Sequence, residues 1–560
     1  MTRALRSNFE PGSVREATRR AQWKALGVSD EDFEKPKIAV VNSSSELAIC
    51  FRHLDGVAAV VKDAIRDAGG LPFEIRTTAP SDFIVSAGGS GYILSARDLV
   101  VNDMEIAVEG AQLDGMVCLS SCDKTPPAHL MAAGRFDIPT ILVICGYQPS
   151  GDLDGEHVDI EDVFVGAVQV QFGKLQPERL RGMCDNAIRG PGVCQGMATA
   201  NSMHVACEAL GMALPGSAPV AANSGRMFEL ARRSGARIVG MVEEDLRPRA
   251  IMTPGAFRNA AAAVLAVSGS INCIKHLQAA AVESELELDV YGLFDELSGE
   301  IPVLSAVRPN GADTIDAFGA AGGAQALRKQ LQPLLDDDAL TVTGATLARN
   351  LESAVVADAE VIRPLDRPFS TEPAIVILRG SLAPESAILK LGLPDPSRPM
   401  RFSGPAVVYD DGLEAIEAIR TSRVERGVVL VVRGMGLRGG PAMAGPAPMV
   451  LFALDSAGIA GDVAFVTDGQ LSGLCLKGLT VAEVTPEAAV GGPLGLVEDG
   501  DPITIDVEAR SLELHVAEDE LAARRERLGE PQLRPSSGYL SIYRRTVQPM
   551  STGAVLVDDR

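Results

Sequence analysis

The sequence predicts an α/β protein in two parts: an N-terminal parallel-sheet α/β domain and a smaller, β-rich, barrel-like C-terminal domain. Three observations predict it. Apolar runs alternate with helix-period segments from Ile38 to Ile144. The stretch from about residue 205 to 365 is Ala-rich and reads as helices with short strands. Beyond it, short β-like runs recur between Gly and Pro. At 560 residues the chain exceeds what one core supports. Pro and charge accumulate at Ile362-Arg363-Pro364-Leu365-Asp366-Arg367-Pro368, which sets expected domains of 1–366 and 367–560.

The elements follow in order. Val14 to Leu26 is a charged helix, a surface arm or oligomer contact. Ile38-Ala39-Val40-Val41 is a strand and Asn42-Ser43-Ser44-Ser45-Glu46 its polar loop. Cys50-Phe51-Arg52-His53-Leu54 leads into a helix with Val57, Val60, Val61 and Ile65 at helical spacing, ended by Gly69-Gly70. Leu71 to Ile75 is a strand, running into Asp82 and a turn at Gly88-Gly89-Ser90-Gly91. Ser95 to Gly110 is helical, Leu113 to Leu119 a strand, Ala128 to Arg135 a helix and Ile138 to Ile144 a strand. This alternation implies a parallel sheet with helices on both faces and functional loops at the carboxyl ends of its strands. A further loop-to-helix break falls at Gly190 to Asn201. In the second domain, strands are expected at Ala374 to Leu378, Ala406 to Tyr409, Val428 to Val432, Val463 to Val466 and Ile503 to Val507.

A net charge of −23 argues against a polyanionic partner, and aromatics at 4% leave no stacking platform for nucleic acid. Met1 to Asn8 lacks an apolar signal core, and no run of about 18 apolar residues appears, so a cytoplasmic protein without a membrane span is expected. The nine cysteines are sparse, odd in number and often set in apolar runs, which points to free thiols and ligands instead of a disulfide framework.

The chemistry centres on Cys118-Leu119-Ser120-Ser121-Cys122-Asp123-Lys124-Thr125-Pro126-Pro127. A soft ligand (Cys122), a hard ligand (Asp123) and a lysine stand together between strand and helix, where a helix N-terminus offers positive charge and free N–H groups. Taken alone, the stretch reads equally well as a buried cysteine beside a surface Asp-Lys pair. Cys50, Cys122 and Cys194 share one context, a loop just ahead of a helix. Three converging thiolates would hold an iron–sulfur cluster with one iron open as a Lewis acid. A helix start beside Cys194 would lower its pKa. Asp82 and Asp123 could offer oxygen to Mg²⁺, or serve as a helix cap and a solvated acid. Ser472, in the turn Thr467-Asp468-Gly469-Gln470-Leu471-Ser472-Gly473, is a base or nucleophile if a cation lowers its pKa, and otherwise ordinary turn chemistry. His53 lies near the same region; His129 is expected on a helix surface or the substrate side, without a role.

Together these segments resemble the family of dihydroxy-acid dehydratases and phosphogluconate or sugar-acid dehydratases, from Asn42 to Leu556. The likeness is carried by Cys50 with His53-Leu54, by Cys122-Asp123-Lys124-Thr125 with Pro127, and by Cys194-Gln195-Gly196-Met197 with Thr199 to Met203 and Glu208 to Met212. Leu378 to Pro384, Phe402 to Pro405, Gly439-Gly440-Pro441 and Thr467-Asp468-Gly469 follow in the family's order. The resemblance implies a hydro-lyase (EC 4.2.1 type) that turns a 2,3-dihydroxy carboxylic acid into a 2-keto acid. It implies Cys50, Cys122 and Cys194 on a 2Fe–2S cluster, with 4Fe–4S open; Asp82, Asp123 and carbamylated Lys124 on Mg²⁺; Ser472 as the base; and a homodimer or homotetramer. The chain departs from the pattern at Met435, where the family has a Glu ligand to Mg²⁺ and where a thioether is a poor substitute. It also departs at Phe83, at Asn42 to Ser45 and at Pro126. Met435 motivates the alternative of a degenerate member that binds a cluster or acid ligand without catalysis.

Overall fold

The computed structural model describes residues 5–87, 91–396, 398–443, 445–473, 477–530 and 533–556. Gly88 to Ser90 of the expected glycine turn, and Cys475, lie outside the described residues.

Four parallel strands form the first sheet: β1 (Lys37–Asn42), β2 (Leu71–Arg76), β3 (Gly115–Ser120) and β4 (Thr140–Ile144), in the order β2-β1-β3-β4. All residues of β1, β3 and β4 are buried, as expected for parallel strands covered on both faces. The helix Leu54–Asp67 returns the chain from β1 to β2, and the helix Tyr92–Ala111 carries it back across β1 to β3. Right-handed crossovers in opposite directions put these two helices on opposite faces. The order reverses between β1 and β3, so the loops leaving those two strands bound the crevice where α/β sheets bind ligands. Cys50 follows β1 and Cys122 follows β3.

The N-terminal helix, Val14–Ala25, buries no residue, and it rests on the sheet's edge through Trp23 against Phe73 of β2, ring centroids 4.6 Å apart. A small hairpin follows the sheet, β5 (Gly151–Leu153) with β6 (Glu156–Val158). From there to residue 374 the chain is helical. The short strands expected among residues 205–365 are not formed: among the described residues that region holds only isolated bridges, such as Val303 with Ser370. Its apolar pieces mostly fill the core between helices, and the one that reaches a strand edge, at Ala213 beside Leu142 of β4, makes a single bridge and no ladder.

The C-terminal sheet has eight strands: β7 (Ile375–Leu378), β8 (Ser386–Lys390), β9 (Arg401–Tyr409), β10 (Val429–Val432), β11 (Ala464–Thr467), β12 (Thr480–Thr485), β13 (Pro502–Asp506) and β14 (Ser511–Leu514). Their order is β14-β13-β9-β10-β11-β12-β8-β7, and a bridge between Arg379 and Ser511 brings the two edges together, nearly closing a barrel. Alternate residues such as Val429, Val431, Val466 and Ile503 fill the barrel. Their neighbours Leu430, Val432 and Phe465 belong to the main core outside it. Burial on both faces explains why these strands read as unbroken apolar runs.

A charge pair joins the two parts. Lys275, on the helix Asn272–Glu283, meets Glu483 of β12, and both side chains are fully buried. Lys275 Nζ also donates to Asn272 Oδ1 at 2.6 Å. Removing one partner of such a pair strands the other charge. Lys275→Met is expected to lower stability by about 3–5 kcal/mol, read as a fall in melting temperature by circular dichroism. Adding Glu483→Met should recover most of the loss; an unchanged melting temperature in Lys275→Met would show that the pair contributes nothing.

Candidate active site

Three loops of the first sheet are locked together by buried polar groups. Ser121 Oγ donates to the Cys50 carbonyl at 2.5 Å, tying the loop after β3 to the loop after β1. Thr125 Oγ1 accepts from Ser121 N at 2.9 Å and Thr125 N donates to the Cys122 carbonyl at 3.0 Å, closing the Cys122-Asp123-Lys124 turn onto the helix Thr125–Phe136. His204 Nε2 pairs with the Ser121 carbonyl at 2.9 Å, and His53 Nε2 with the Cys145 carbonyl at 2.7 Å. His129 is a correction to the sequence reading. It is fully buried, bonded to Ser120 Oγ at 2.9 Å, and burial lowers its pKa to about 3. A helix packed on all sides leaves no solvent or substrate face for it.

The third cysteine comes from the loop ahead of the helix Thr199–Ala209. Asn201 Nδ2, on that helix, donates to the carbonyls of Cys194 (2.7 Å) and Gly196 (2.9 Å) and fixes the loop. The thiols of Cys50 and Cys122 are neighbours. The nearby Cys50 thiol and then burial hold Cys122 well above the ordinary thiol range. Burial, then Glu161, Asp123 and Cys50, raise Cys194 likewise. The lowering expected from a helix start is therefore not found, because Cys194 stands five residues before Thr199 and among acids.

Asp82, the first residue of the short helix Asp82–Val85 that follows β2, meets this group from the side. Lys124 Nζ is fully buried, 2.9 Å from Asp82 Oδ2 and 3.5 Å from Asp123 Oδ2. Burial opposes charge on Lys124, yet Asp82 and Asp123 hold its pKa above the ordinary value. Burial, followed by repulsion from Asp123, raises Asp82 to about 8.

The barrel supplies the opposite wall. Asp468, at the end of β11, is buried and accepts from Met435 N (2.8 Å), Gly434 N (3.2 Å) and Ala488 N (3.0 Å), pinning the turn that carries Met435. Gly473 lies against the Cys194 side: a Cβ there would stand 2.7 Å from the Met197 carbonyl oxygen. Ser472, half-buried, is thereby held beside the third cysteine's loop. One cavity of about 1230 Å³ is lined by Cys122, Cys194, Asp82 and Asp123 from the first part and by Ser472 and Met435 from the barrel. The seven residues singled out in the sequence thus come together: five line the cavity, Lys124 stands behind Asp82 and Asp123, and Cys50 is next to Cys122.

Sequence reading missed His157, Asp159 and Asp162, whose ligand atoms lie within 4.8 Å of one another and could hold a metal ion. The signal was present as an acidic run after a histidine. Local structure also accounts for it: Asp159 and Asp162 form a capping box on the helix Ile160–Gln171, and Asp162 pairs with Arg308 at 2.9 Å.

Thiols, carboxylates and a hydroxyl thus line one cavity between an α/β domain and a barrel, soft and hard donors side by side. Residues 35–350 match the dihydroxy-acid/6-phosphogluconate dehydratase N-terminal family, and residues 360–554 the C-terminal family of the same description. The chain is 41% identical to a dihydroxy-acid dehydratase of Methanococcoides burtonii, over 98% of this chain and 99% of that one. It is 39% identical to dihydroxy-acid dehydratases of Caldicellulosiruptor saccharolyticus (99% and 100% covered) and Pyrococcus abyssi (98% and 100%). The chain belongs to the dihydroxy-acid/6-phosphogluconate dehydratase family, and its class is hydro-lyase. Among the described residues no helix is long and apolar enough to cross a membrane.

The contact at Gly473 gives a direct test. Gly473→Ala forces the serine turn off Met197 and Ala198, and a misplacement of about 1 Å costs roughly a hundredfold in rate. Dehydratase turnover is expected to fall by about that factor with an unchanged circular dichroism spectrum; turnover kept at the parent level would mean that the turn's position does not matter.

Proposed function

We propose that this chain dehydrates a 2,3-dihydroxy carboxylic acid, a sugar acid or a branched dihydroxy acid, to the 2-keto acid. The observation that carries the reading is the shared lining of one cavity by Asp82, Asp123, Cys122, Cys194 and Ser472. In this reading Cys50, Cys122 and Cys194 hold an iron–sulfur cluster, of the 2Fe–2S type with 4Fe–4S open. Asp82, Asp123 and carbamylated Lys124 hold Mg²⁺. A cytoplasmic homodimer or homotetramer is part of the same proposal.

The donor set supports both groups. Buried thiols that resist ionisation become thiolates only beside a strong Lewis acid. A carbamate on Lys124 would turn its positive end negative and leave three acids facing one another, an arrangement that calls for a hard cation. Bound there, an iron centre and a divalent cation would supply Lewis acidity toward the acid's hydroxyl and carboxylate oxygens. The chain's own residues orient and move the proton. Asp82 and Asp123 would hold the cation, since on their own they repel the substrate's carboxylate. Ser472, as alkoxide, takes the C2 proton; the C3 hydroxyl leaves; the enol becomes the 2-keto acid, with one water lost and no redox change. Met435, buried with its side chain on the cavity, favours the second reading, a member that binds cluster or ligand without turnover.

Anaerobically purified protein, with iron and magnesium measured and the visible spectrum recorded, separates the two. Keto acid released from a panel of sugar acids and branched dihydroxy acids, and lost at least a thousandfold in Ser472→Ala, is the expected result. No turnover of any member with the cluster intact would favour the binding protein.

The raised pKa of Asp82 adds a pH dependence. Below about 8 the Asp82 carboxyl keeps its proton, so a cation must displace it. Affinity for Mg²⁺ should rise with pH toward about 8 and level above it, with proton release seen by calorimetry in buffers of different ionisation enthalpy. Affinity that does not change between pH 6 and 9 would remove Asp82 from the cation site.

A further inference from the structure

One buried acid on the cavity has no part in the reading above. Glu161 is the second residue of the helix Ile160–Gln171 and is 7% exposed. Its Oε1 is buried with no hydrogen-bond partner among the described residues. The helix cap does not need it. Asp159 Oδ1 takes the Glu161 and Asp162 N–H groups, Asp162 returns a bond to Asp159 N, and Arg308 is paired with Asp162. Its carboxylate instead lies over Gly196 in the Cys194 loop, where a Cβ would stand 2.0 Å from Oε1. Only glycine at that position lets the carboxylate reach the cavity wall that it shares with Asp82, Asp123 and Met435.

A buried carboxylate oxygen without a partner needs either a proton or a cation. The neighbouring acids make the charge costlier still: burial first, then Asp159 and Asp162, push the Glu161 pKa well up. Meanwhile the barrel side of the cavity offers a thioether, which a hard divalent ion binds poorly. A carboxylate is the ligand type that ion prefers.

We propose that Glu161 is an oxygen ligand of the cavity's divalent cation, approaching from the α/β side in place of the barrel-side acid that Met435 does not provide. The inference rests on the assignment of Asp82 and Asp123 to that cation. It also bears on the choice between the two readings, because a chain that supplies its carboxylate from another element keeps a complete cation site.

The test uses the full chain, purified without air and with its cluster in place, titrated with Mn²⁺ and followed by electron paramagnetic resonance. The parent is expected to bind one Mn²⁺ per subunit, and Asp123→Asn to abolish binding. Glu161→Gln, isosteric and uncharged, should weaken Mn²⁺ roughly tenfold or more while leaving the cluster's visible spectrum and the melting temperature in place. Adding Met435→Glu to Glu161→Gln should return the affinity. Binding lost in Asp123→Asn but untouched in Glu161→Gln overturns the inference and spares the cation site. A double variant as weak as Glu161→Gln overturns the exchange between the two positions. A parent that binds no Mn²⁺ overturns the cation site and the inference with it.

Discussion

The structure depends on how anions are kept together out of water. Asp82 and Asp123 stand side by side on one wall of the cavity, beside the thiols of Cys122 and Cys194, and the Lys124 ammonium is in contact with both carboxylates. Acids so placed repel one another and are poorly solvated, as the raised pKa of Asp82 records. Such a cluster persists only where the surrounding backbone is over-determined. Ser121, Thr125, His204 and Asn201 supply that determination, each fixing a loop carbonyl or N–H within 2.5–3.0 Å. The Lys124 ammonium and a proton on Asp82 both ease that repulsion.

The barrel has a different task. Strands β7, β8, β10, β11 and β12 are buried along their whole length, with alternate aliphatic residues filling the barrel and their neighbours packed on the main core, which makes it a rigid wall. Asp468 holds the Met435 turn by three backbone N–H groups, and Gly473 lets the Ser472 turn approach Met197. The hydroxyl thus reaches the thiol side of the cavity without belonging to the fold that carries the thiols. Placing the hydroxyl and the acids on separate elements lets two sides of one small ligand be addressed together.

Much of this was legible in the residues. Parallel strands buried on both faces leave apolar runs, so Ile38 to Val41, Leu113 to Leu119 and Val428 to Val432 stood out. The strands β8, β12 and β14 did not. Ser386–Lys390 and Thr480–Thr485 carry polar residues that pair across the sheet, as Ser386 N does with Thr485 Oγ1 at 3.1 Å, and Ser511–Leu514 is only four residues long. The expected strands in residues 205–365 failed for the converse reason: their apolar pieces pack among helices, and the contact of Ala213 with Leu142 of β4 stops at one bridge. His129 and Cys194 were misjudged because a residue's pKa and exposure are set by what packs on it, and distant segments do that packing.

By itself the sequence determined the alternation that builds the parallel sheet, the loops bearing Cys50, Asp82, Cys122 and Cys194, and the substitution at Met435, because each is a property of local order along the chain. Only the tertiary structure decided that Ser472, hundreds of residues from the cysteines, shares their cavity, and that Glu161 turns into it over Gly196. Those facts depend on the reversal of strand order between β1 and β3 and on close approach at two glycines. Excluded volume acts between segments far apart in the chain, and no local pattern encodes it.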